Sequence, residues 1–198
     1  MSVSPRVRLF GLFCLIGGSL QLCDLPLDVW WSSPTSPVHA VALMIWGLAN
    51  AALMGGPIGI IAYRFVPPKG TAIAGAGLTL LGNLSQIGGM ICYLLLPRSA
   101  GGQVLTPLGG ILITLGMLVL GMTTLRGKRL PGWQSWTPLL VGLYFLVQLV
   151  AIQVPLFLRR GHPLFAPLLD LWGLFWVLLG LVIVWSAMEP AQSPLLRA

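Results

Sequence analysis

The sequence predicts an all-α, polytopic membrane helix bundle with six transmembrane helices. The first observation is composition: 57% of the 198 residues are hydrophobic and only 8% are charged, whereas a soluble domain carries about a quarter charged residues. The second is a series of apolar runs of about 20 residues, the length that crosses a bilayer as a helix. The third is a partly repeated sequence, which predicts that the helices form three tandem hairpins.

Six apolar runs are separated by short segments rich in Pro, Gly and basic residues. The runs cover residues 7–23, 39–63, 71–96, 106–125, 136–158 and 167–188. They lack the alternation of polar and apolar residues that a transmembrane strand needs. Helices are expected because a helix pairs its backbone N–H and C=O groups within its own segment, as lipid requires.

The start of the second run recurs at the start of the sixth. Residues 37–48 read PVHAVALMIWGL and residues 163–174 read PLFAPLLDLWGL, which share the frame P-x-x-A-x-x-L-x-x-W-G-L. A weaker copy, PLGGILITLGML, begins at Pro107. Pro suits the first turn of a helix, and residues at steps of three share one side of it. The frame therefore predicts a helix start followed by a contact stripe.

The repeat also predicts how the chain is organised. A single integral membrane domain is expected over residues 1–198. Its three hairpins are predicted at about residues 7–65, 71–125 and 136–188.

Small residues recur every four positions along the second run, at Gly47, Ala51, Gly55 and Gly59. Small residues at this spacing let two helices touch closely in lipid. The stripe is interpreted as a packing face within the chain, and a dimer interface is the alternative. Pro57 interrupts the same run and is expected to bend its helix.

The basic residues predict the orientation of the helices. If the N-terminus is cytoplasmic, eight basic residues fall inside and three outside, as the positive-inside rule requires. The inner set is Arg6, Arg8, Arg64, Lys69, Arg126, Lys128, Arg129 and Arg197, and the outer set is Arg98, Arg159 and Arg160. Both termini are predicted to be cytoplasmic. The net charge of +7 is assigned to contact with anionic headgroups, and nucleic acid is not expected as a partner.

An Arg-flanked first helix is followed by an outer loop with Pro and His. GPIGIIAYR then closes the second helix at residues 56–64, and AGAGLTLLG opens the third at residues 74–82. This order resembles small bacterial six-helix integral membrane proteins of unknown function. The resemblance spans most of the chain. It implies a location in the bacterial plasma (inner) membrane and carries no activity with it.

Departures from the repeat are candidates for function. The eighth position of the frame is Asp170 in one copy, where the sister copies have Met44 and Thr114. An ionisable group in a membrane helix is costly, which makes it a functional candidate. A polar pocket open to the outer side is predicted from Asp170, His39, Arg159, Arg160, Asp24, Gln21, Gln86 and Gln153. The alternative is structural, because a carboxylate near a helix start is favoured by the helix dipole.

Three amide residues are predicted to form a polar layer near the middle of the membrane. They are Asn50, Asn83 and Gln148, on the second, third and fifth helices. The alternative is that each makes an interhelical hydrogen bond, worth about 1 kcal/mol or less.

Recognisable catalytic motifs are missing from the sequence. It contains no G-x-S-x-G, H-E-x-x-H, P-loop or C-x-x-C pattern, so no catalytic, metal or cofactor residue is assigned. His39 and His162 are interpreted as surface or hydrogen-bonded residues rather than metal or haem ligands. A disulfide between Cys23 and Cys92 on the outer side is left open.

Two functions are therefore expected. The first is a non-enzymatic scaffold or binding protein, or a subunit of a membrane complex. The alternative is a small-solute transporter or channel with an outward-facing polar pocket. The expected partners are membrane lipid and either further copies of the chain or a larger membrane complex. A packed centre with apolar grooves facing lipid would favour the scaffold, and a continuous cavity lined by the three amides would favour transport.

Overall fold

A computed structural model describes residues 5–31, 37–63, 65, 70–96, 100–153 and 165–188, with side chains for all of these except 24–31, 149–153 and 165–170. All regular structure within these ranges is helical, which confirms the all-α class. The helices are α1 (Pro5–Trp31), α2 (Pro37–Leu53), α3 (Gly55–Ala62), α4 (Gly70–Leu95), α5 (Gly101–Gly127), α6 (Thr137–Gln153) and α7 (Phe165–Ser186), with a 3₁₀ helix at Gly132–Trp136 before α6.

Within the part of the chain that the structure describes, four segments are long and apolar enough to cross a membrane. They are Pro5–Cys23, Pro37–Ala62, Gly70–Leu95 and Gly101–Gly127, so that α2 and α3 together make one crossing. A crossing by each of the last two helices, and hence the total of six, stays a prediction.

Two helix ends differ from those predicted. The first helix continues to Trp31 rather than ending near Cys23. The fourth predicted helix, α5, begins at Gly101, so Pro107 lies inside it and not in its first turn. A Gly-rich sequence reads locally as a loop, yet the Tyr93 ring lies only 2.8 Å from where a Cβ at Gly102 would be. We attribute the earlier start to this packing, which favours helix over local propensity.

The helix of the second run is interrupted near Pro57, as predicted, with the break at Met54 between α2 and α3. A proline ring cannot coexist with the carbonyl of the residue four positions earlier in an unbroken helix. The break divides the small-residue stripe. Gly47 faces Met90 of α4, whereas Gly55 contacts the carbonyl oxygen of Phe10 in α1.

The helices α1, α2, α4, α5, α6 and α7 form a closed ring in which each packs against the next in this order and α7 packs back against α1. The short α3 contacts α1, α4 and α7, so it lies on the inner side of the ring. The α4–α5 and α1–α7 pairs pack most extensively. The α4–α5 pair is a hairpin, whereas the α1–α7 pair joins the first helix to the last. The most extensive packing therefore does not follow three equivalent hairpins. The three-hairpin repeat stays a prediction from the sequence.

Glycines spaced seven residues apart line the α1–α7 interface. A Cβ added at Gly18 would lie 2.8 Å from the carbonyl oxygen of Gly173, and one at Gly180 would lie 2.9 Å from that of Gly11. Seven residues make about two helical turns, so both glycines of each helix face the partner. The two antiparallel backbones therefore touch directly.

The α4–α5 interface has the same construction. A Cβ added at Gly82 would lie 2.7 Å from the carbonyl oxygen of Gly109, and one at Gly116 would lie 2.6 Å from that of Gly75. Glycine is thus present on both helices at each crossing. We call these two interfaces the glycine-lined interfaces.

The start of α1 and the end of α7 lie at the same end of the ring, because the two helices are antiparallel. At this end the Tyr63 hydroxyl donates a hydrogen bond to the carbonyl oxygen of Ser186 over 2.5 Å. The basic residues that the structure describes belong to helix ends on this side: Arg6, Arg8, Arg126, Lys128 and Arg129.

The surface of the ring is apolar and its interior holds aromatic residues. Leu48, Leu81 and Leu95 are 63%, 57% and 73% exposed, and Trp172 and Trp176 are buried. An apolar coat of this kind is suited to contact with lipid. The three cysteines are free, so Cys23 and Cys92 do not pair.

Candidate functional site

The residues predicted to form an outer polar pocket are described only in part. Gln21 and Gln86 are buried, and His39 is partly buried near the start of α2. Asp24, Gln153 and Asp170 belong to α1, α6 and α7, but their side chains lie outside the described part of the chain, as do Arg159 and Arg160 entirely. The pocket as a whole stays a prediction.

The predicted mid-membrane amides are all buried. Asn50 and Asn83 are fully buried and Gln148 is 7% exposed. Asn50 donates through Nδ2 to the carbonyl oxygen of Trp46 in its own helix over 2.8 Å. Asn83 donates in the same way to Thr79, also over 2.8 Å. Both donors return to their own helices, and neither Oδ1 has a hydrogen-bond partner.

Asn50 and Gln86 lie at nearly the same height in the ring, and Asn83 lies about one helical turn away along α4. Gly47 of α2 opposes Met90 of the antiparallel helix α4. Three residues further along α2, Asn50 is therefore level with Ile87, which is the residue after Gln86. Asn83 and Gln86 are three residues apart on α4, which makes them neighbours on one side of the helix. Asn50 was predicted to belong to the mid-membrane layer and Gln86 to the outer pocket, yet the two residues lie at one level.

An aromatic cluster adjoins Gln86. A Cβ added at Gly110 would lie 2.8 Å from the Phe145 ring and 3.8 Å from Gln86 Nε2. The Phe145 and Trp172 ring centroids are 4.7 Å apart, and those of Trp172 and Trp176 are 6.1 Å apart. Neither indole N–H has a hydrogen-bond partner, although buried Trp usually finds one.

Gln21 lies on α1, which packs against α7. A Cβ added at Gly18 would lie between Gly173 and Val177 of the antiparallel helix α7, so the register brings Gln21 level with Trp172 rather than with Asp170. The Gln21 Oε1 atom is buried and has no partner. The predicted site that joins Gln21 and Asp170 stays a prediction.

We call six of these residues the buried polar layer: Gln21, Asn50, Asn83, Gln86, Trp172 and Trp176. Each has a buried side-chain atom without a hydrogen-bond partner. Such an atom costs about 1–3 kcal/mol when it stays unpaired. Amides accept and donate hydrogen bonds, indoles only donate them, and neither group titrates, so the layer is equipped for binding rather than for acid–base chemistry.

An apolar groove lies between α2 and α4 and has a volume of about 460 Å³. Its lining residues are all apolar: Met44, Gly47, Leu48, Ala51, Ile87, Met90, Ile91, Leu94 and Leu95. Leu48 and Leu95 on its rim are strongly exposed, so the groove opens to the outer surface of the ring. We call it the α2–α4 groove.

Sequence reasoning missed the α2–α4 groove and the partners of the glycine-lined interfaces. The seven-residue glycine spacing was a readable signal, since it recurs on four helices: Gly11 and Gly18, Gly75, Gly82 and Gly89, Gly102, Gly109 and Gly116, and Gly173 and Gly180. No comparable signal marks the groove, because it depends on how far α2 and α4 stand apart.

Among the described residues, no group of three or more His, Cys, Asp or Glu is placed to hold a metal ion. Comparison with known proteins finds no family model, curated protein or solved structure that matches this chain. The function is therefore inferred from the buried polar layer and the α2–α4 groove.

Proposed function

We propose that this chain is a non-enzymatic integral membrane protein that acts as a scaffold or binding subunit of a membrane complex. Its location is the bacterial inner membrane, with six crossings and both termini cytoplasmic. The observation that carries the proposal is the α2–α4 groove, which is apolar and opens to the lipid-facing surface. The packed, glycine-lined interfaces elsewhere in the ring support it, because they suit a rigid platform.

The groove has the shape that a transmembrane helix of a partner protein fits. Its walls are two ridges at helical spacing, Met44 and Leu48 on α2 and Ile87 and Ile91 on α4. Helices pack by placing the ridges of one into the groove between ridges of another. The lining includes Ala51, whose small side chain lets a partner backbone approach.

Small residues that line the groove are important for helix association in lipid, because lipid is as apolar as the protein surface. Helix association there depends on van der Waals packing rather than on the hydrophobic effect. Met44 and Met90 also line the groove. Methionine is flexible and polarizable, so it adjusts to the shape of a bound surface.

Photo-crosslinking in intact cell membranes tests the proposal. A photoreactive amino acid replaces Leu48 on the groove rim, and the control replaces Leu81, which is similarly exposed at 57% against 63% but does not line the groove. We expect one discrete protein adduct from position 48 and only lipid adducts from position 81.

A variant that fills the α2–α4 groove is the matched control for the crosslinking experiment. Ala51→Trp should abolish the protein adduct at position 48 while the chain keeps its thermal stability. Mixing two differently tagged forms distinguishes a second copy of the chain from another protein. Lipid adducts alone at position 48, or the same protein adduct at both positions, would contradict the proposal.

A small-solute transporter or channel is the second candidate function. The unpartnered amide oxygens of Asn50 and Asn83 favour it, because a polar path must be lined by such groups. Asn83→Cys in a chain with Cys23→Ser and Cys92→Ser separates the two functions. A transporter predicts modification by membrane-impermeant thiol reagents from each side of the membrane, and a scaffold predicts protection from both sides.

A further inference from the structure

Glycine divides the interfaces of the ring into two kinds. At α1–α7 and α4–α5 glycine faces the backbone of the partner helix, and the same is true at α1–α2 and α5–α6. A Cβ added at Gly17 of α1 would lie 2.7 Å from the backbone N of Leu53 in α2. One added at Gly142 of α6 would lie 2.8 Å from the backbone N of Leu118 in α5. Backbone atoms cannot rotate away, so helices in such close contact move together.

The other two interfaces of the ring meet through side chains. Between α2 and α4, Gly47 faces the terminal methyl group of Met90. Between α6 and α7, the ring centroids of Tyr144 and Phe175 are 5.0 Å apart. Among the glycines that the structure describes, none has its nearest contact with backbone across either interface. Side chains can change rotamer and slide past each other, so these two interfaces can open while the helices stay intact.

The two kinds of interface divide the ring into two bodies. The first body contains α7, α1, α2 and α3. The short α3 belongs to it because Gly55 faces the carbonyl oxygen of Phe10 in α1, and because Tyr63, which follows α3, donates a hydrogen bond to Ser186 of α7. The second body contains α4, α5 and α6. We call the α2–α4 and α6–α7 interfaces the two seams.

The buried polar layer is shared between the two bodies. Asn50 and Trp172 belong to the first body and Gln86 belongs to the second. Trp172 packs against Phe145 across the α6–α7 seam, with ring centroids 4.7 Å apart. The unpaired atoms of these residues are buried while the seams are closed, and water that enters between the bodies would pair with them. Hydration of the layer therefore offsets part of the cost of opening the seams.

The position of α3 indicates which end of the ring opens. Because α3 contacts α1, α4 and α7, it joins the two bodies near the end that carries the basic residues. The α2–α4 groove lies towards the opposite end, since its lining extends to Leu95 at the end of α4. The α2–α4 seam is thus joined at α3 and incompletely filled away from it, which is the geometry of a hinge.

We propose that the two bodies move as rigid units about the contacts of α3 and separate at the end of the ring opposite the basic residues. The motion brings the buried polar layer into contact with water. The closed ring and the open form are two states of one equilibrium. The motion needs no partner in the α2–α4 groove, so it is independent of the scaffold function.

Distances between paired spin labels, measured by electron–electron double resonance in lipid nanodiscs, test the motion. One pair of labels replaces Val41 in the first body and Val147 in the second. The matched pair replaces Leu95 and Val147, which both belong to the second body. All three side chains are exposed and lie in the halves of their helices away from the basic end.

Both pairs are placed in the full chain with Cys23→Ser and Cys92→Ser, in which the remaining Cys14 is fully buried. We expect one narrow distance for the pair within the second body. The pair across the bodies should give the same narrow component and a second, longer one. A single distance of equal width for both pairs would show that the ring is one rigid unit. Equal broadening of both pairs would show that the ring does not divide at the seams, and either result overturns the proposal.

Gln86→Met tests the part of the buried polar layer in the motion. The exchange keeps the volume of the side chain and removes the unpaired oxygen, so opening gains less from hydration. The population of the longer distance should fall several-fold. Gln103→Met is the matched control, because Gln103 is exposed on α5, and it should leave the population unchanged.

Asn50→Leu, in the first body, is the second variant if Gln86→Met does not fold, and it carries the same expectation. A folded variant that keeps the population of the longer distance would overturn the proposal, because the layer would then not meet water in the open form. An equal fall with Gln103→Met would overturn it as well.

Discussion

The α1–α7 and α2–α4 interfaces are both built from antiparallel apolar helices that carry small residues, yet only the first closes. In α1–α7, Gly18 and Gly173 face each other and the backbones touch. In α2–α4, Gly47 faces the Met90 side chain, and a groove of about 460 Å³ remains. Glycine therefore closes an interface of this bundle where it faces the backbone of the partner helix, and a groove remains where it faces a long side chain.

The physical reason is the absence of a hydrophobic driving force between helices in lipid. Contact area then decides which pairs associate, and a Cβ on either helix sets the distance between the two axes. Where a stripe of small residues faces a long side chain, as Gly47 of α2 faces Met90, space remains for a further helix. Four variants test this difference between the two interfaces.

Gly82→Leu should have the largest effect. A Cβ at this position would lie 2.7 Å from the carbonyl oxygen of Gly109 and from the backbone N of Ile113, so α4 and α5 must separate. We expect no folded, monodisperse protein by fluorescence-detected size-exclusion chromatography. Gly77→Leu on the same helix is the control, because nothing lies within 4 Å of its Cβ position. Equal behaviour of the two variants would refute the role of backbone contact.

Gly18→Ala should destabilise the α1–α7 interface by about 1–3 kcal/mol, the cost of overpacking a tight contact. The added Cβ would lie 2.7 Å from the backbone N of Val177, which cannot rotate away. Thermal unfolding in detergent measures the loss. Gly70→Ala, with open space around its Cβ, should leave the Tm unchanged or slightly higher.

Tyr63→Phe should cost about 1 kcal/mol, the usual net value of one hydrogen bond. The variant removes the hydroxyl that donates to Ser186 at the end of α7 and keeps the ring that packs against Phe65. Chemical unfolding in detergent gives the difference in the free energy of unfolding. An unchanged value would show that this bond does not help to close the ring.

Gly47→Ala should have the smallest effect, below about 0.5 kcal/mol, although its Cβ also meets another atom. That atom is the terminal methyl group of Met90, and a flexible side chain moves at low cost. The same thermal assay compares it directly with Gly18→Ala. If the two losses were equal, the distinction between backbone and side-chain contact would fail.

Several features of the fold were predictable because they depend on local sequence. The apolar runs predicted the helices, and Pro37 correctly predicted the start of α2. The start of α5 was wrong by several residues, because the packing of Tyr93 over Gly102 does not show in the local sequence.

The candidate site was predictable by residue type but not by arrangement. Asn50 and Asn83 were assigned to one layer and Gln86 to another site, whereas the packing of α2 against α4 brings Gln86, and not Asn83, to the height of Asn50. The indole donors of Trp172 and Trp176 were not assigned to any polar site. Their place beside Gln86 depends on the packing of α5, α6 and α7.

The sequence by itself determined that the chain is all-α, that its helices suit lipid, and where most of them begin and end. These properties follow from composition and from backbone hydrogen bonding within each helix, which are local. The contacts of Gly18 with Gly173 and of Gly47 with Met90 are seen only in the folded structure. Partner choice depends on which residues of distant helices reach the same height and face each other, and no local pattern specifies that.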